Sequence, residues 1–323
     1  MGFGVIAIAT ATLLLLIAGI RVVLLGVGRR DVWSIGIYHG PNLTRLAPHP
    51  AYESRPALRA SDVCDASARF VADPFLMHQG DQWWMFLEVY NKSVRRGEIA
   101  VASSQDAVRW QYDRTVLKEP FHLSYPYVIE HGGAYFMIPE SRQAGSVRLY
   151  RATAFPYDWR YERDLLKGDY ADASIVHHGG VWWMFSQRDG DKLTLHHAEQ
   201  LEGPWREHPA SPLTCDADSS RPGGRIVRAH GRLIRFAQVD RPTYGRSLRA
   251  YEIVRISVSA YEEKELQERP LLNASGKGWN ADGMHHLDVV QLAPDRWLAA
   301  VDGKRCVRHF NWRRGIRGAL RLS

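Results

Sequence analysis

A pattern of apolar runs that each end on an acid or an amide recurs along the chain. The first copy, "QWWMFLE", ends at Glu88, and the next three copies end at Glu140, Gln187 and Gln238. A weaker fifth copy, "RWLAAVD", ends at Asp302. The first four endpoints are about fifty residues apart, a repeat length typical of propeller blades.

The order of elements inside each repeat is also constant. A short apolar strand, a glycine-containing turn, the aromatic strand and a more polar strand follow one another, as in "ADPFLMHQGDQWWMFLE" and then "GEIAVASSQDAVRWQ". Short strands with glycine turns at regular spacing indicate an all-β repeat, and four strands make one blade. Five copies predict a five-bladed β-propeller over residues 31–312, and "WSIGIYHGPNLTRL" could supply the strand that closes the ring with the last blade.

The start of the chain differs in kind from the rest. The run from Gly4 to Ile20 is uncharged and apolar, and Arg21 separates it from a second apolar stretch. About 20 apolar residues are needed for a helix to cross a bilayer, so residues 1–30 are predicted to form one transmembrane anchor. A cleaved signal peptide is the alternative, although no Lys or Arg precedes the run. The positive residues that follow the run favour a single-pass membrane protein with a cytoplasmic body.

Composition narrows the class of protein. A 45% hydrophobic content with 11 Trp and 14 Tyr is ample for a packed core. The net charge of +7 would suit an anionic partner, and the basic tail at 313–323 could touch anionic lipid headgroups. No nucleic-acid-binding motif is present. Three widely spaced cysteines suggest neither a disulfide framework nor a zinc site, so no metal or other cofactor is predicted.

Several long phrases carry a resemblance to a known family. The phrases are "EPFHLSYPYVIE", "YFMIPES", "RLYRATAFPYDW" and "WNADGMHHLDVV". Together with the blades, they resemble the propeller domain at the N-terminus of plant glucosamine inositolphosphorylceramide transferases and of bacterial relatives. More distantly, the plan is similar to the glycoside hydrolase family 43 propellers, the arabinanases and xylosidases. The resemblance implies a function that involves glycans.

The inner strands supply the candidate catalytic acids. Counting fifteen residues back from the first four endpoints reaches Asp73, Tyr125, Asp172 and Gly223. Inner strands of a propeller line its central funnel, so Asp73 and Asp172 are expected to face one pocket. Two carboxyl groups are what glycoside chemistry requires, and Glu140 in "IPESR" is the predicted proton donor. The alternative is structural, because an Asp before Pro commonly caps a turn.

The acids at the strand ends allow two interpretations. A buried carboxylate must be paired or protonated, so Glu88 and Glu140 are candidates for a raised pKa. Either could instead accept a hydrogen bond from a neighbouring blade, as Gln would at the equivalent positions. In family 43 enzymes, successive blades supply an aspartate, an aspartate and a glutamate. Asp73 matches the first, but Tyr125 and Asp172 stand at the other two, which puts hydrolysis by that mechanism in doubt.

Other polar residues are candidates for substrate binding. Arg221 and Arg225 in "SRPGGRI" are suited to clamp a carboxylate or phosphate. His285 or His286 in "MHHLD" could bind a sugar hydroxyl or a cation in the funnel, and Tyr125 could stack on a sugar face.

Three functional hypotheses follow. The first is a membrane-anchored propeller that binds, and could process, a glycan or glycolipid in its central pocket. The second is a non-catalytic scaffold or recognition subunit for a separate glycosyltransferase. The third is a protein-interaction propeller with a flat face in place of a deep pocket. Convergence of Asp73, Glu140 and Asp172 on one pocket favours the first hypothesis, and separation of the three favours the second.

Overall fold

The computed structural model describes residues 27–310 together with Ile17 and Ile20. Two compact units divide the chain: residues 33–305 form one, and residues 1–32 with 306–323 form the other. Most of the predicted anchor at 1–30 and all of the tail at 313–323 lie outside the described residues. Among the residues that are described, no helix is long and apolar enough to span a membrane.

The described residues form five antiparallel sheets, which are the blades of a propeller. The N-terminal strands are β1 (Val27–Gly40) and β2 (Ala47–Pro48). Blade one contains β3 (Ala68–Gln79), β4 (Gln82–Asn91), β5 (Arg96–Ser104) and β6 (Gln111–Leu117). Blade two contains β7 (Ser124–His131), β8 (Ala134–Glu140), β9 (Ser146–Ala154) and β10 (Asp158–Lys167). Blade three contains β11 (Tyr170–His178), β12 (Val181–Arg188), β13 (Lys192–Ala198) and β14 (Arg206–Glu207).

Blade four contains β15 (Val227–Ala229), β16 (Arg232–Val239), β17 (Ser247–Ser257), β18 (Ala260–Glu265) and the short β19 (Leu272–Asn273). The last strands are β20 (Leu287–Ala293) and β21 (Arg296–Phe310). Four short 3-10 turns lie between strands, at Pro50–Tyr52, Ala60–Asp62, Arg142–Ala144 and Gly278–Asn280.

The fifth blade is built from both ends of the propeller sequence. Its strand order is β2-β1-β21-β20, so two C-terminal strands pair with two N-terminal strands. The ring is therefore closed by backbone hydrogen bonds between residues remote in sequence. This arrangement confirms the predicted five-bladed propeller and the closing role predicted for "WSIGIYHGPNLTRL".

The aromatic strands are apolar on both faces because each blade is covered by a blade on either side. In β4, Met85, Phe86 and Leu87 are all fully buried, although their side chains point alternately to opposite faces. Met85 and Leu87 pack with Ile35 of the fifth blade, whereas Phe86 packs with Val128 of the second blade. The core of the propeller is thus a series of apolar layers, each held between two neighbouring blades.

An ion pair with a fully buried carboxylate links four blades of the propeller. The Arg225 guanidinium donates to both carboxylate oxygens of Asp288, at 2.9 and 3.2 Å. It also donates to the carbonyl oxygens of Val128 at 2.8 Å and Leu76 at 3.3 Å. The Asp288 carboxylate in turn accepts the backbone N–H of Leu76 at 2.6 Å. One arginine therefore connects blade four to blades one, two and five.

We predict that Arg225→Met lowers the free energy of unfolding by roughly 3–5 kcal/mol, because it leaves the fully buried Asp288 carboxylate without its partner. Adding Asp288→Asn should recover part of this loss. Chemical denaturation of the two variants checks the prediction, with Arg228→Met on the exposed side of β15 as the control. Equal stability of Arg225→Met and the unmodified protein would contradict it.

Candidate functional site

The same backbone kink recurs on three inner strands. Asp73, Tyr125 and Asp172 have φ angles of 52°, 47° and 52°, in the left-handed region that residues other than glycine rarely adopt. Each lies where the register between the first two strands of its blade shifts. The predicted equivalence of the three positions is confirmed. Because such a conformation is costly, its repetition indicates that the fold positions these residues firmly.

Asp73 lies at the centre of a buried polar cluster. Its Oδ2 accepts the backbone N–H of Tyr125 at 3.2 Å. Its Oδ1 lies 3.8 Å from His285 Nε2 and 3.9 Å from His286 Nδ1. Burial, reinforced by the negative charges of Asp302 and Asp172, raises the pKa of Asp73 to about 7, although the His285 and Arg221 charges oppose the shift.

Glu140 and Asp172 meet at one arginine. Arg221 Nε donates to Asp172 Oδ2 at 2.7 Å, and Arg221 Nη2 lies 3.9 Å from Glu140 Oε2. Glu140 Oε1 is buried without a hydrogen bond from the described residues. Burial and the neighbouring Asp172 charge raise the pKa of Glu140 to about 7, against the opposing charge of Arg221. Glu140 and Asp172 thus both lie beside one guanidinium, and the Asp172 and Arg221 charges also influence the pKa of Asp73.

Glu88, at the end of the first aromatic strand, is buried in the same region. Its Oε1 makes no hydrogen bond with the described residues and lies 3.7 Å from His122 Nε2. The backbone at Gly97 lies close to this carboxyl group, since a Cβ added there would lie 2.6 Å from Glu88 Oε1. Burial, together with the charges of the neighbouring acids, raises the pKa of Glu88 well above its usual range.

The amides at the equivalent positions make the inter-strand hydrogen bonds expected of a structural residue. Gln187 Nε2 donates to Ser220 Oγ at 2.9 Å. Gln238 Nε2 donates to Asp172 Oδ2 and to the Pro222 carbonyl oxygen, each at 2.7 Å. The structural interpretation of this position therefore describes the two amides, whereas Glu88 Oε1 and Glu140 Oε1 have no hydrogen-bond partner among the described residues.

The two histidines differ in their electrostatics. His285 Nδ1 lies 2.8 Å from Asp302 Oδ1, and its Nε2 lies 3.0 Å from the Tyr244 hydroxyl. Burial lowers the pKa of His285, but the Asp302 carboxylate outweighs burial and raises it overall. His286 Nε2 donates to the Pro74 carbonyl oxygen at 2.9 Å, and burial lowers the pKa of His286 to about 4. His286 is therefore neutral near pH 7, with the lone pair of Nδ1 directed towards the cluster.

Side-chain atoms of Asp73, His285 and Asp302 lie within 4.8 Å of one another, close enough for all three to contact a single cation. Their atoms already have other partners, however. Asp302 Oδ1 accepts the backbone N–H of both histidines, at 3.2 and 3.1 Å, in addition to its contact with His285 Nδ1. Asp302 Oδ2 accepts the backbone N–H of Asp73 at 3.2 Å. Within residues 27–310 Asp302 and His285 are thus hydrogen-bonded already, whereas Asp73 Oδ1 lies 3.8 Å from His285 Nε2, beyond hydrogen-bond distance.

Two of the predicted binding residues, Tyr125 and Arg225, make contacts that stabilise the fold. The Tyr125 side chain is fully buried, and its hydroxyl lies 2.7 Å from Ser174 Oγ and donates to the Gly224 carbonyl oxygen at 3.0 Å. It therefore does not present a face on which a sugar could stack. Arg225 belongs to the ion pair with Asp288, where its guanidinium is already surrounded by acceptors.

Three residues of the cluster were not predicted as site residues. Asp302 could have been, because it ends the fifth copy of the repeat at the position that Glu88 occupies in the first copy. His122 and Tyr244 lie in connections between strands, where no repeat or periodicity marks them.

Residues 28–304 match the family model described as glucosamine inositolphosphorylceramide transferase 1, N-terminal. The chain belongs to this family. It is 33% identical over 314 residues to glucosamine inositolphosphorylceramide transferase 1 of Oryza sativa subsp. indica, covering 89% of this chain and 42% of that protein. The Arabidopsis thaliana protein of the same name is 31% identical, over 90% of this chain and 41% of its own length.

Solved structures share the fold. The catalytic domain of a family GH62 α-L-arabinofuranosidase from Coprinopsis cinerea has a TM-score of 0.57 at 12% identity, over 73% of this chain and 91% of that one. A β-xylosidase has a TM-score of 0.53 at 14% identity, over 68% of this chain and 79% of that one. The predicted resemblance, to the transferase N-terminal domain and to glycoside hydrolase propellers, is confirmed.

We predict that Glu140→Gln removes a pH-dependent instability. The pKa of Glu140 is higher in the folded chain than its usual value of 4.5, so the folded state binds more protons between pH 4.5 and about 7, and stability falls as pH rises through this window. The variant should be more stable than the unmodified protein at pH 8 by roughly 2 kcal/mol and nearly equal to it at pH 4.5. Thermal unfolding at both pH values tests this, with the exposed Glu130→Gln as control. A difference that does not change with pH would contradict the prediction.

Proposed function

We propose that this chain binds a glycan, or the sugar head of a glycolipid, in the central site and acts on it by acid–base chemistry. The observation that carries the proposal is the pair of buried acids, Asp73 and Glu140, whose pKa values of about 7 leave each able to give or take a proton near neutral pH. Membership of a family named for glycolipid glycosyltransferases supports the substrate class.

The residues would divide the work as follows. Glu140, in its protonated form, would donate to the oxygen of the leaving group, because its Oε1 has no competing partner among the described residues. Asp73, ionised, would take a proton from the attacking water or sugar hydroxyl. Asp172 is held by Arg221 and Gln238, each at 2.7 Å, and would orient the arginine. Attack by water would give hydrolysis, and attack by a sugar hydroxyl would give transfer.

A membrane location would bring this site to a lipid-linked substrate. The apolar residues 1–30, proposed as an anchor, and the basic tail at 313–323 would hold the propeller beside a bilayer whose lipids carry the sugar. A cytoplasmic location of the propeller is part of the same proposal and rests on the positive residues after the apolar run.

A second candidate function is a recognition subunit for a separate glycosyltransferase. Two observations favour it. The chain spans 42% of the length of the Oryza relative, so the named activity could reside in the remainder of that protein. In addition, Tyr125 replaces the second aspartate of the family 43 pattern and has a fully engaged hydroxyl.

The deciding experiment is turnover by the full-length chain in detergent, assayed on nitrophenyl glycosides and on glucosamine-bearing inositolphosphorylceramide. Asp73→Asn and Glu140→Gln should each reduce kcat at least about 100-fold while substrate still binds, because each removes one proton-transfer group. Glu130→Gln should leave kcat unchanged. Substrate binding without turnover, unaltered in both site variants, would favour the recognition subunit, and no binding of any sugar would reject both functions.

A further inference from the structure

The polar side chains of the central site fall into two layers by exposure. The carboxyl groups form the deeper layer, with at most 10% of each side chain exposed, and they belong to Asp73, Glu88, Glu140 and Asp172. Three more exposed residues lie around them: the Arg221 side chain is 18% exposed, the His122 side chain 23% and Tyr244 41%. Each of these three carries a hydrogen-bond donor.

Arg221 is held in place by only part of its guanidinium group. Its Nε donates to Asp172 Oδ2 at 2.7 Å, and its guanidinium lies 5.3 Å from the centre of the Tyr244 ring. Nη2 lies 3.9 Å from Glu140 Oε2, beyond hydrogen-bond distance. Between residues 27 and 310, neither terminal amino group of Arg221 donates a hydrogen bond. A planar fork held by its Nε and stacked on an aromatic ring is suited to bidentate contact with a carboxylate or phosphate.

His122 is held in one tautomer by the backbone. The Gly97 N–H donates to His122 Nδ1 at 2.8 Å, so Nδ1 carries the lone pair and Nε2 carries the hydrogen. Burial lowers the pKa of His122, which keeps the ring neutral, although the Asp172 charge opposes the shift. The Nε2–H lies 3.7 Å from Glu88 Oε1, too far for a good hydrogen bond. His122 therefore offers a donor that has no acceptor at hydrogen-bond distance among the described residues.

Tyr244 completes the layer from blade four. Its hydroxyl lies 3.0 Å from His285 Nε2, and its ring packs edge-on against Trp33 with the centroids 6.1 Å apart. Its backbone carbonyl oxygen accepts a hydrogen bond from the Lys304 ammonium group. The neighbouring Gly245 permits this packing, since an added Cβ would lie 2.5 Å from the Trp33 ring and φ is +64°. Tyr244 is thus held firmly at the edge of the site although much of it is exposed.

We propose that this donor layer, Arg221 with His122 and Tyr244, binds an anionic group carried on the sugar, a phosphate or a carboxylate. The inference rests on the proposed function, because the sugar itself would lie against the carboxyl layer. An anion accepts several hydrogen bonds and donates none, which fits a rim of donors. Arg221 contacts Asp172 through Nε alone, so the charge of that acid is paired while the two terminal amino groups can donate to an incoming anion.

The test is calorimetric titration of the full-length chain with matched pairs of ligands: myo-inositol 1-phosphate against myo-inositol, and glucuronic acid against glucose. Each anionic ligand that uses the donor layer should bind at least about tenfold more tightly than its neutral partner. Comparison of the two pairs tells whether phosphate or carboxylate is preferred. Inorganic phosphate, added as competitor, should weaken the anionic ligands alone.

Two variants probe the donors. Arg221→Lys keeps the charge but loses the fork, and should remove most of the anionic preference. Tyr244→Phe keeps the ring over Arg221 and should reduce affinity for the anionic ligand about threefold to tenfold, with affinity for the neutral partner unchanged. The control is Arg142→Lys, because the Arg142 guanidinium already donates to both oxygens of Asp169, at 2.7 and 2.8 Å.

The outcomes separate the two proposals. Equal affinity for neutral and anionic partners, or an anionic preference that survives both Arg221→Lys and Tyr244→Phe, would overturn the donor layer while leaving a sugar-binding site. Failure of every ligand in the panel to bind would overturn the donor layer together with the proposed function.

Discussion

Charges buried along the propeller axis have to neutralise one another, because water does not solvate them there. Asp288 and Arg225 form one such pair, in which the carboxylate side chain is fully buried. Asp172 and Arg221 form a second pair, and the contact between Asp302 and His285 is a third. The residues of the three pairs are 63, 49 and 17 positions apart, so the first two pairs form only when neighbouring blades have packed together.

Among the described residues this balance leaves some acids without an ion-pair partner, and the proposed function assigns proton transfer to two of them. Within the described part of the chain, Asp73 and Glu140 have no cation within hydrogen-bond distance, and burial therefore raises the pKa of both to about 7. Asp73 is moreover held in a left-handed backbone conformation, at a cost of the order of 1 kcal/mol or more that surrounding contacts offset. Unpaired buried acids in a strained conformation are a feature of functional sites more than of structural ones.

The blades could be predicted from sequence because their signal is periodic. Each apolar strand ends at the same point of the repeat, so counting back fifteen residues locates Asp73, Tyr125 and Asp172. All three have a positive φ angle in the structure, at equivalent positions of their blades. The role of a side chain after the kink could not be predicted in the same way. Whether the Tyr125 hydroxyl meets a ligand or a neighbouring strand depends on Ser174 and on the backbone of the next blades.

The segment "SRPGGRI" shows why the connections are harder to interpret. Arg221 and Arg225 are four residues apart and are predicted to act alike, yet Arg221 pairs with Asp172 in the candidate site and Arg225 pairs with Asp288. Between them, Gly224 runs so close to β20 that an added Cβ would lie 1.8 Å from the Leu287 carbonyl oxygen. No periodicity specifies that path. The two arginines are separated by a tertiary contact that only the folded ring supplies.

The strand-end position shows how one repeat serves both stability and function. At Gln187 and Gln238 an amide donates to a neighbouring oxygen, which stabilises the ring and leaves no group to titrate. At Glu140 the equivalent group is a carboxyl with one oxygen unpartnered among the described residues, and at Asp302 it is a carboxylate held by His285. The backbone is the same in each blade, so the type of side chain and its nearest partner decide the role. In a propeller, a function can therefore arise by replacing an amide with an acid at a position that the fold already directs towards the axis.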